Sequence, residues 1–422
     1  MLNTQELDQR AREIIRQNDM GGYTVPTHGL YPYQWNWDSA FSAWGTATFD
    51  TTTGWAEMET LMNAQWDTGM VPHIVFHKLD PGYFPGPDVW QTGHTPPTSG
   101  ITQPPVAASM VKLMMLDDSE NGLQKARDLF PKLKAWHAWF MRERCESGAV
   151  AIMHPWESGR DNARDWDGAM ANIDPSNVGE YTRRDTSHVD SSMRPTKEDY
   201  DRFITLVHQG RDLHWDQSKI REQGYFRVAC PGMTFILMRA NLDLAIIAKS
   251  LGEPTDEIDA WSETLQKGAT TLWNAERQHY DSLDLRTGEF AGCLSNASFL
   301  CWYGDAGNDT MFEHYERVLS ISKYPVPSLD PADPHFDSLR YWRGPTWGII
   351  NTLIGQGFHY NGYDDKATTL RKATADLIQE HGFAEYFDPN NGQPAGGSDF
   401  TWTAAIWLAW ASPSAPQTLD SE

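Results

Sequence analysis

Apolar residues recur at helical spacing through most of this sequence, and the segments that carry them follow one another in pairs. The strongest segment, residues 231–250, is apolar at Phe235, Ile236, Met238, Leu242, Ala245 and Ile246. The segment 255–273 follows after Gly252-Glu253-Pro254 and should run antiparallel to it. No strand alternation or βαβ rhythm interrupts the series, so we predict an all-α fold. The other predicted helices are 1–16, 54–65, 102–116, 121–144, 294–302, 309–321, 346–356, 364–381 and 401–411.

Helical pairs joined by aromatic and charged loops predict a closed toroid, with an inner and an outer ring of helices and loops that build one funnel. The 422 residues exceed the usual length of one domain, so two domains or one large closed architecture would both fit. No repeat of fixed period indicates a solenoid.

Charge and cysteine content narrow the classes of function. The sequence has 34 basic and 57 acidic residues, a formal charge of −23, which repels nucleic acid and anionic membrane surfaces. We find no stretch that approaches a transmembrane span, and the first residues lack the apolar region of a signal peptide. Four cysteines show neither zinc-site nor disulfide-framework spacing, so we expect free thiols, no metal and a cytoplasmic location.

The segment 154–167 is the densest group of acids and tryptophans, and it lies between two helical regions. Asp and Asn in loops often cap helices or form local turns, so each acid has a structural alternative. Tryptophan, however, is placed where an apolar face meets a hydrogen-bonding partner, as in a sugar-binding cleft. The 19 tryptophans of the sequence favour such a cleft, although most of them should belong to the core.

Further candidates lie in loops elsewhere. Trp37 and Asp38 could sit at the mouth of a cleft, or Asp38 or Ser39 could be a helix N-cap. Arg194 precedes Pro195, so its guanidinium could point into a cleft and bind a carboxylate, or it could balance neighbouring acids. Glu385 lies between aromatic residues, where burial would raise its pKa and make it a usable base. His73 and His77 lack the glutamate of a metalloprotease motif and do not indicate a metal pair.

Five motifs resemble glycoside hydrolase family 63 in the same order, over residues 31–405. They are Gln34-Trp35-Asn36-Trp37-Asp38, Trp156-Glu157-Ser158-Gly159 with Asp161-Asn162 and Trp166-Asp167, Tyr341-Trp342-Arg343-Gly344-Pro345, Glu385-Tyr386, and Phe400-Thr401-Trp402-Thr403-Ala404-Ala405. The resemblance implies an (α/α)6 barrel and an inverting α-glycosidase. It implies Asp161 as the general acid and Glu385 as the base that activates water, because inversion needs this pair. It also implies that the cleaved sugar is bound by Trp37, Asp38, Trp156, Arg343 and Trp347, and we add Tyr33 and Trp402 as candidates.

The short length and the segment 194–200 are similar to the bacterial glucosylglycerate and mannosylglycerate hydrolases of that family. This likeness implies that Arg194 and Tyr200 hold the carboxylate of a glycerate aglycone, with help from Tyr83 and Gln103. Glu157, Asp165 and Asp167 would then be supporting or capping groups.

We therefore predict an α-glycoside hydrolase that needs no cofactor and cleaves glucosylglycerate, mannosylglycerate or both. The alternatives are an α-glucosidase or trehalase-like hydrolase of another α-linked disaccharide, and a non-catalytic sugar-binding protein. We expect one domain over 1–422, with loop insertions around 66–101 and 154–200. The sequence leaves open the choice between glucose and mannose and whether the chain forms a homo-oligomer.

Overall fold

The computed structural model describes residues 3–416. Its helices are α1 (Thr4–Asn18), α2 (Asn36–Ala47), α3 (Thr51–Asn63), α4 (Pro87–Trp90), α5 (Ala107–Asp117), α6 (Gly122–Glu143), α7 (Asp167–Met170), α8 (Asp185–His188), α9 (Lys197–Asp212), α10 (Gln217–Gln223), α11 (Pro231–Leu251), α12 (Asp256–Thr270), α13 (Asn296–Phe299), α14 (Asp309–Ile321), α15 (Gly348–Tyr360), α16 (Asp364–His381) and α17 (Thr401–Ile406). A π-helical segment, Trp407–Ala411, continues α17.

Strands in the described residues are two residues long and form small sheets rather than a closed one. They are β1 (Gln34–Trp35), β2 (Ile74–Val75), β3 (Ala151–Ile152), β4 (Val228–Ala229), β5 (Trp273–Asn274), β6 (His279–Tyr280), β7 (Leu283–Asp284), β8 (Tyr386–Phe387) and β9 (Pro394–Ala395). The strands pair antiparallel as β1 with β2, β3 with β4 with β7, β5 with β6, and β8 with β9.

Two classes of helix form two rings. The helices α2, α5, α11, α13, α15 and α17 are buried on nearly all sides, as expected for an inner ring. Five of these helices, α2, α5, α11, α13 and α15, are each followed along the chain by an amphipathic helix; these are α3, α6, α12, α14 and α16, in that order. The sixth, α17, packs against the amphipathic helix α1. The described residues thus form the predicted toroid of helical pairs.

The inner ring is closed by contacts between neighbouring helices. α2 packs against both α17 and α5, α11 packs against α5 and α13, and α15 packs against α17. The remaining junction is made just after α13, where the Trp302 carbonyl accepts a 2.8 Å hydrogen bond from Asn361 and the Trp302 ring lies 4.8 Å from that of Phe358.

Most predicted helices are confirmed within a few residues, and two agree at both ends, 309–321 and 364–381. Three predictions were inaccurate. Prolines 104 and 105 delay the helix predicted from 102 until Ala107, the helix predicted over 294–302 is reduced to α13, and residues 271–273 lie beyond α12. Met1 and Leu2, part of the predicted first helix, lie outside the described residues.

The structure also excludes one of the two alternatives for Asp38. Neither Asp38 nor Ser39 is an N-cap, because α2 begins at Asn36 after Trp35. Asp38 lies inside the first turn of α2, and its carboxyl is therefore available for another role.

The expectation that no stretch resembles a membrane span also needs correction. α11 is long and apolar enough to qualify, with a mean hydropathy of 1.3 over its best window. However, 89% of that window is buried against other parts of the protein, so α11 has the environment of a core helix.

α2 and α17 approach so closely that a glycine is needed between them, since a methyl group on Gly45 would overlap the backbone of Ala405. Alanine normally favours a helix over glycine by about 1 kcal/mol. We nevertheless expect Gly45→Ala to destabilise the protein by about 1–3 kcal/mol, because the inner ring would have to open. Thermal unfolding measures this.

Gly168→Ala is the matched control, because Gly168 also lies in a helix but a methyl group there would meet nothing within 4 Å. This variant should unfold at or slightly above the wild-type temperature. A Gly45→Ala protein as stable as the control would contradict the close packing of α2 on α17.

Candidate active site

A small cavity lies where the loops between several helical pairs meet. Acids and aromatic rings make up most of its wall: Pro26, Tyr31, Trp35, Trp37, Asp38, His73, Gln103, Gly159, Asp161, Tyr341, Glu385, Phe400 and Trp402.

The start of α2 brings Trp37 and Asp38 to this wall. The strand β1 pairs with β2, and the Asn36 side chain donates to the Pro72 carbonyl at 3.1 Å, which fixes where the helix begins. Burial raises the pKa of Asp38 well above its usual value, and the negative charges of Glu385 and Asp161 raise it further.

Gly159 carries the acid loop close against α2. It ends a short 3₁₀ helix, Pro155–Ser158, with a left-handed φ of +67°, and a Cβ there would stand only 2.5 Å from the Trp37 ring. The Arg160–Asp165 ion pair, at 2.8 Å, is buried and holds the rest of the loop. Asp161 follows this turn and faces the cavity.

Burial raises the pKa of Asp161 to about 7. Arg194 opposes this rise, whereas the negative charges of Glu385 and Asp185 add to it. Asp161 is thus a carboxyl group that keeps its proton near neutral pH, which is the property that a general acid requires.

Glu385 is buried and bound on both carboxylate oxygens. The Tyr31 hydroxyl donates to Oε1 at 3.0 Å, and the Gly397 backbone N–H donates to Oε2 at 2.8 Å. Arg194 Nη1 also lies 3.5 Å from Oε2. Burial raises the pKa of Glu385, and Arg194 and these hydrogen bonds lower it. Burial outweighs these contacts, so the pKa of Glu385 lies above its usual value, and the contacts limit the rise.

The sequence left two interpretations of Arg194 open: a guanidinium free to point into a cleft, or one that balances neighbouring acids. In the structure the guanidinium is not free, because it pairs with acids. Its Nε lies 3.2 Å from Asp185 Oδ2, and its Nη2 donates to the Tyr31 hydroxyl. Its guanidinium carbon is 4.0 Å from the centre of the Tyr341 ring. The capping box of Thr196 and Asp199 begins α9 directly after it.

Two further candidates of the sequence lie on the cavity wall. Gln103 Oε1 accepts a hydrogen bond from the Trp37 backbone N–H at 3.2 Å. The Trp402 indole N–H donates to the Glu385 carbonyl at 3.3 Å, and its ring crosses that of Trp37 at 5.8 Å. Both residues therefore touch the elements that carry the acids.

Other candidates stand behind the wall or at its edge. Trp156 packs behind His73, with ring centres 6.1 Å apart, and Trp347 stacks on Trp342 at 3.8 Å. Tyr83 and Tyr33 cross each other at 5.1 Å. The Tyr200 hydroxyl donates to the Phe84 carbonyl at 3.2 Å, and Arg343 pairs with Asp167. None of these is among the residues that line the cavity, within the described part of the chain.

The sequence did not single out several residues of the wall, namely Tyr31, Trp35, His73, Tyr341 and Phe400. Trp35, Tyr341 and Phe400 stand inside the recognised motifs, which was the available signal. His73 was considered only as a metal ligand. Burial lowers its pKa well below the usual value, so the ring is neutral at neutral pH.

Comparison with known proteins identifies the family. The model of the mannosylglycerate hydrolase MGH1-like glycoside hydrolase domain matches residues 31–403. The chain belongs to this family. It is 43% identical to mannosylglycerate hydrolase MGH1 of Selaginella moellendorffii over 413 residues, covering 95% of this chain and 85% of that protein. It is 31% identical to the glucosylglycerate hydrolase of Mycolicibacterium hassiacum over 440 residues, covering 96% and 97%.

A solved structure gives the same assignment. The crystal structure of the GH63 mannosylglycerate hydrolase from Thermus thermophilus in complex with Tris and D-glycerate matches with a TM-score of 0.92 and 41% identity, over 95% of this chain and 98% of that one. The predicted resemblance to family 63 and the all-α barrel are thereby confirmed. The protein is a glycoside hydrolase.

The geometry of Glu385 depends on Gly396, which has a φ of +73° and lies against the carboxylate. A methyl group at Gly396 would overlap Oε2 of Glu385. We expect Gly396→Ala to displace the carboxylate and to lower kcat by about 100-fold, as displacements near 1 Å do in other active sites. Steady-state kinetics on a glycoside substrate measures this.

Gly362→Ala provides the control. Gly362 has nearly the same φ, +75°, but a methyl group there meets nothing within 4 Å. Both variants should lose some stability from backbone strain, and only Gly396→Ala should lose turnover. Equal loss of activity in the two variants would show that strain, rather than contact with Glu385, is responsible.

Proposed function

We propose that this protein hydrolyses mannosylglycerate, glucosylglycerate or both to the hexose and glycerate, with inversion at the anomeric carbon. One observation carries the proposal: Asp161 and Glu385 face the same cavity, and the buried Arg194 touches Glu385 at its side. This arrangement combines two carboxyl groups for glycoside cleavage with a cation for an anionic aglycone.

In the proposed reaction Asp161 gives its proton to the glycosidic oxygen as the bond to the aglycone breaks. Glu385 accepts a proton from the water that attacks the anomeric carbon on the opposite face of the sugar. The contacts of Glu385 with Tyr31, Gly397 and Arg194 support this role, because all three stabilise the charged carboxylate. The pKa of Asp161, raised to about 7, supports the complementary one.

The rings of Trp37 and Trp402 supply apolar faces for the hexose, and Asp38 can accept hydrogen bonds from its hydroxyl groups. The remaining candidates would act through neighbours. Trp156, Trp347, Tyr33 and Arg343 would hold the wall in place, and Tyr83 and Tyr200 would flank the aglycone beside Arg194.

The relatives support glycerate as the aglycone, since their names state mannosylglycerate or glucosylglycerate and the Thermus structure contains D-glycerate. The relative with the higher identity is named for mannosylglycerate, which makes this the first substrate to test. We also propose that residues 1–422 form one domain that acts in the cytoplasm, where the free, buried state of all four cysteines is expected.

The protonation of Asp161 gives a pH-dependent prediction. An acid must be protonated to act, and this carboxyl loses its proton as the pH rises through about 7. We expect kcat/KM to fall on the alkaline side with a midpoint near pH 7. Asp161→Asn should lower kcat by about 100- to 10,000-fold and abolish that midpoint, and Glu385→Gln should lower kcat by a similar factor.

Asp174→Asn is the control for these variants, because Asp174 is exposed and its carboxylate accepts from the Ser176 backbone at 2.9 Å. Its rate and pH profile should match the wild type. A near-normal rate for Asp161→Asn would show that another group supplies the proton.

A substrate panel tests the role of Arg194 and the stereochemistry. The wild type should cleave mannosylglycerate or glucosylglycerate and leave neutral glucosylglycerol intact, because the aglycone carboxylate contributes charge-assisted hydrogen bonds. Arg194→Ala should raise KM for the glycerate substrates. Proton NMR during the first turnovers should show the released hexose in the β configuration.

Cleavage of the neutral glycoside at a similar rate would contradict the carboxylate interaction and favour an α-glucosidase or trehalase-like activity. A first product in the α configuration would contradict the role of Glu385 as the base for water. Tight binding of all three glycosides without cleavage would indicate a sugar-binding protein.

A further inference from the structure

Residues 181–185 connect two parts of the chain near Arg194. Arg183 donates to the Pro195 carbonyl at 2.7 Å, and its guanidinium lies 4.2 Å from the centre of the Tyr200 ring. Arg184 forms a bidentate pair with Asp80, with both distances 2.7 Å. This segment therefore joins the start of α9 to the loop that follows β2.

Asp185 is the carboxylate at the centre of these contacts. Its Oδ1 accepts from Arg183 Nε at 3.0 Å, and its Oδ2 accepts from Arg183 Nη2 at 2.6 Å and from Arg194 Nε at 3.2 Å. The side chain is mostly buried, so the ion pairs are only weakly screened by solvent.

Arg194 is consequently shared between two carboxylates. Its Nε faces Asp185, while its Nη1 faces Glu385 at 3.5 Å and its Nη2 reaches Tyr31. The distance from Arg194 Nε to Asp185, 3.2 Å, is shorter than the distance from Nη1 to Glu385, 3.5 Å. The guanidinium is therefore held on the side of Asp185. A guanidinium fixed through Nε keeps its two Nη groups directed at Glu385 and Tyr31, which both line the cavity.

We propose that Asp185 is a positioning residue: it holds Arg194 between the base Glu385 and the aglycone, and Arg183 holds both Asp185 and Tyr200. The proposal rests on the proposed function, since it assigns the support of the glycerate-binding pair. Neither Asp185 nor Arg183 belongs to the cavity wall, so both act through their neighbours.

The charge of Asp185 has a second effect. The titratable or charged groups that interact electrostatically with it include Arg183, Arg194, Asp161, Tyr83, Tyr181, Tyr200 and Tyr386. Its negative charge raises the pKa of Asp161, so its removal should lower that pKa. Removal should also leave the charge of Arg194 less neutralised, which lowers the pKa of Glu385 too.

Two substitutions separate position from charge. Asp185→Asn removes the charge and one strong partner of Arg194, so KM for mannosylglycerate or glucosylglycerate should rise about tenfold. The alkaline limb of kcat/KM should move to lower pH as well. Asp185→Glu keeps the charge but moves the carboxylate by one methylene, so KM should rise while the limb stays where it is.

Asp190→Asn is the matched control, since this exposed acid lies five positions further on in the same loop and its carboxylate accepts from Ser192 at 2.9 and 2.8 Å. It should leave KM and the pH dependence of kcat/KM unchanged. Thermal unfolding of all three variants reports whether each is folded. If Asp185→Asn does not fold, the KM of Asp185→Glu decides.

The proposal would be overturned if a folded Asp185→Asn protein kept the wild-type KM and the wild-type pH dependence of kcat/KM. An unchanged KM in Asp185→Glu would overturn it too. The proposed function fails separately, if the wild type does not cleave a glycerate-bearing glycoside. In that case the limb shift of Asp185→Asn, measured on whichever α-glycoside the wild type cleaves, still tests the positioning of Arg194.

Discussion

One buried guanidinium balances the acids of the active site. Desolvation raises the pKa of Asp38, Asp161 and Glu385, and their mutual repulsion adds to it, so a cavity with three such groups would hold mostly protonated carboxyls. Arg194 lowers the pKa of Glu385 and of Asp161 by different amounts, because it touches Glu385 directly and acts on Asp161 through space. Two carboxyl groups in one cavity can then differ in protonation, which acid and base chemistry at neutral pH requires.

The barrel makes this balance possible by bringing distant loops to one point. Asp161, Arg194 and Glu385 lie on segments that no local contact would join. Close approaches between backbones, at Gly45 between α2 and α17 and at Gly159 against Trp37, leave little freedom for these segments to shift. The site is held by packing of the whole barrel rather than by any single loop.

Helical spacing, caps and prolines were enough to predict the helical pairs from the sequence, and the ordered motifs were enough to place Asp161 and Glu385 on one site. The positions of the tryptophans could not be predicted in this way. Trp156 shares a motif with a wall residue and Trp347 lies two residues beyond another motif, yet their rings stack on His73 and Trp342. Tyr31 carries no local pattern, and its role follows only from its contact with Glu385. Which face of an indole meets the cavity depends on partners far away in sequence.

The pairing of α1 with α17 has a consequence for how the molecule forms. Asp8 on α1 accepts hydrogen bonds from the Trp407 indole at 2.8 Å and from Ser412 at 2.9 Å, and Asn18 donates to Thr401 at 2.8 Å. The outer helices α3, α6, α12 and α16 each pack on the inner helix that directly precedes them, but α1 is made long before its partner α17. During synthesis on the ribosome the apolar face of α1 therefore stays uncovered until residues near 400 have emerged, so the ring can close only as one of the last steps of folding.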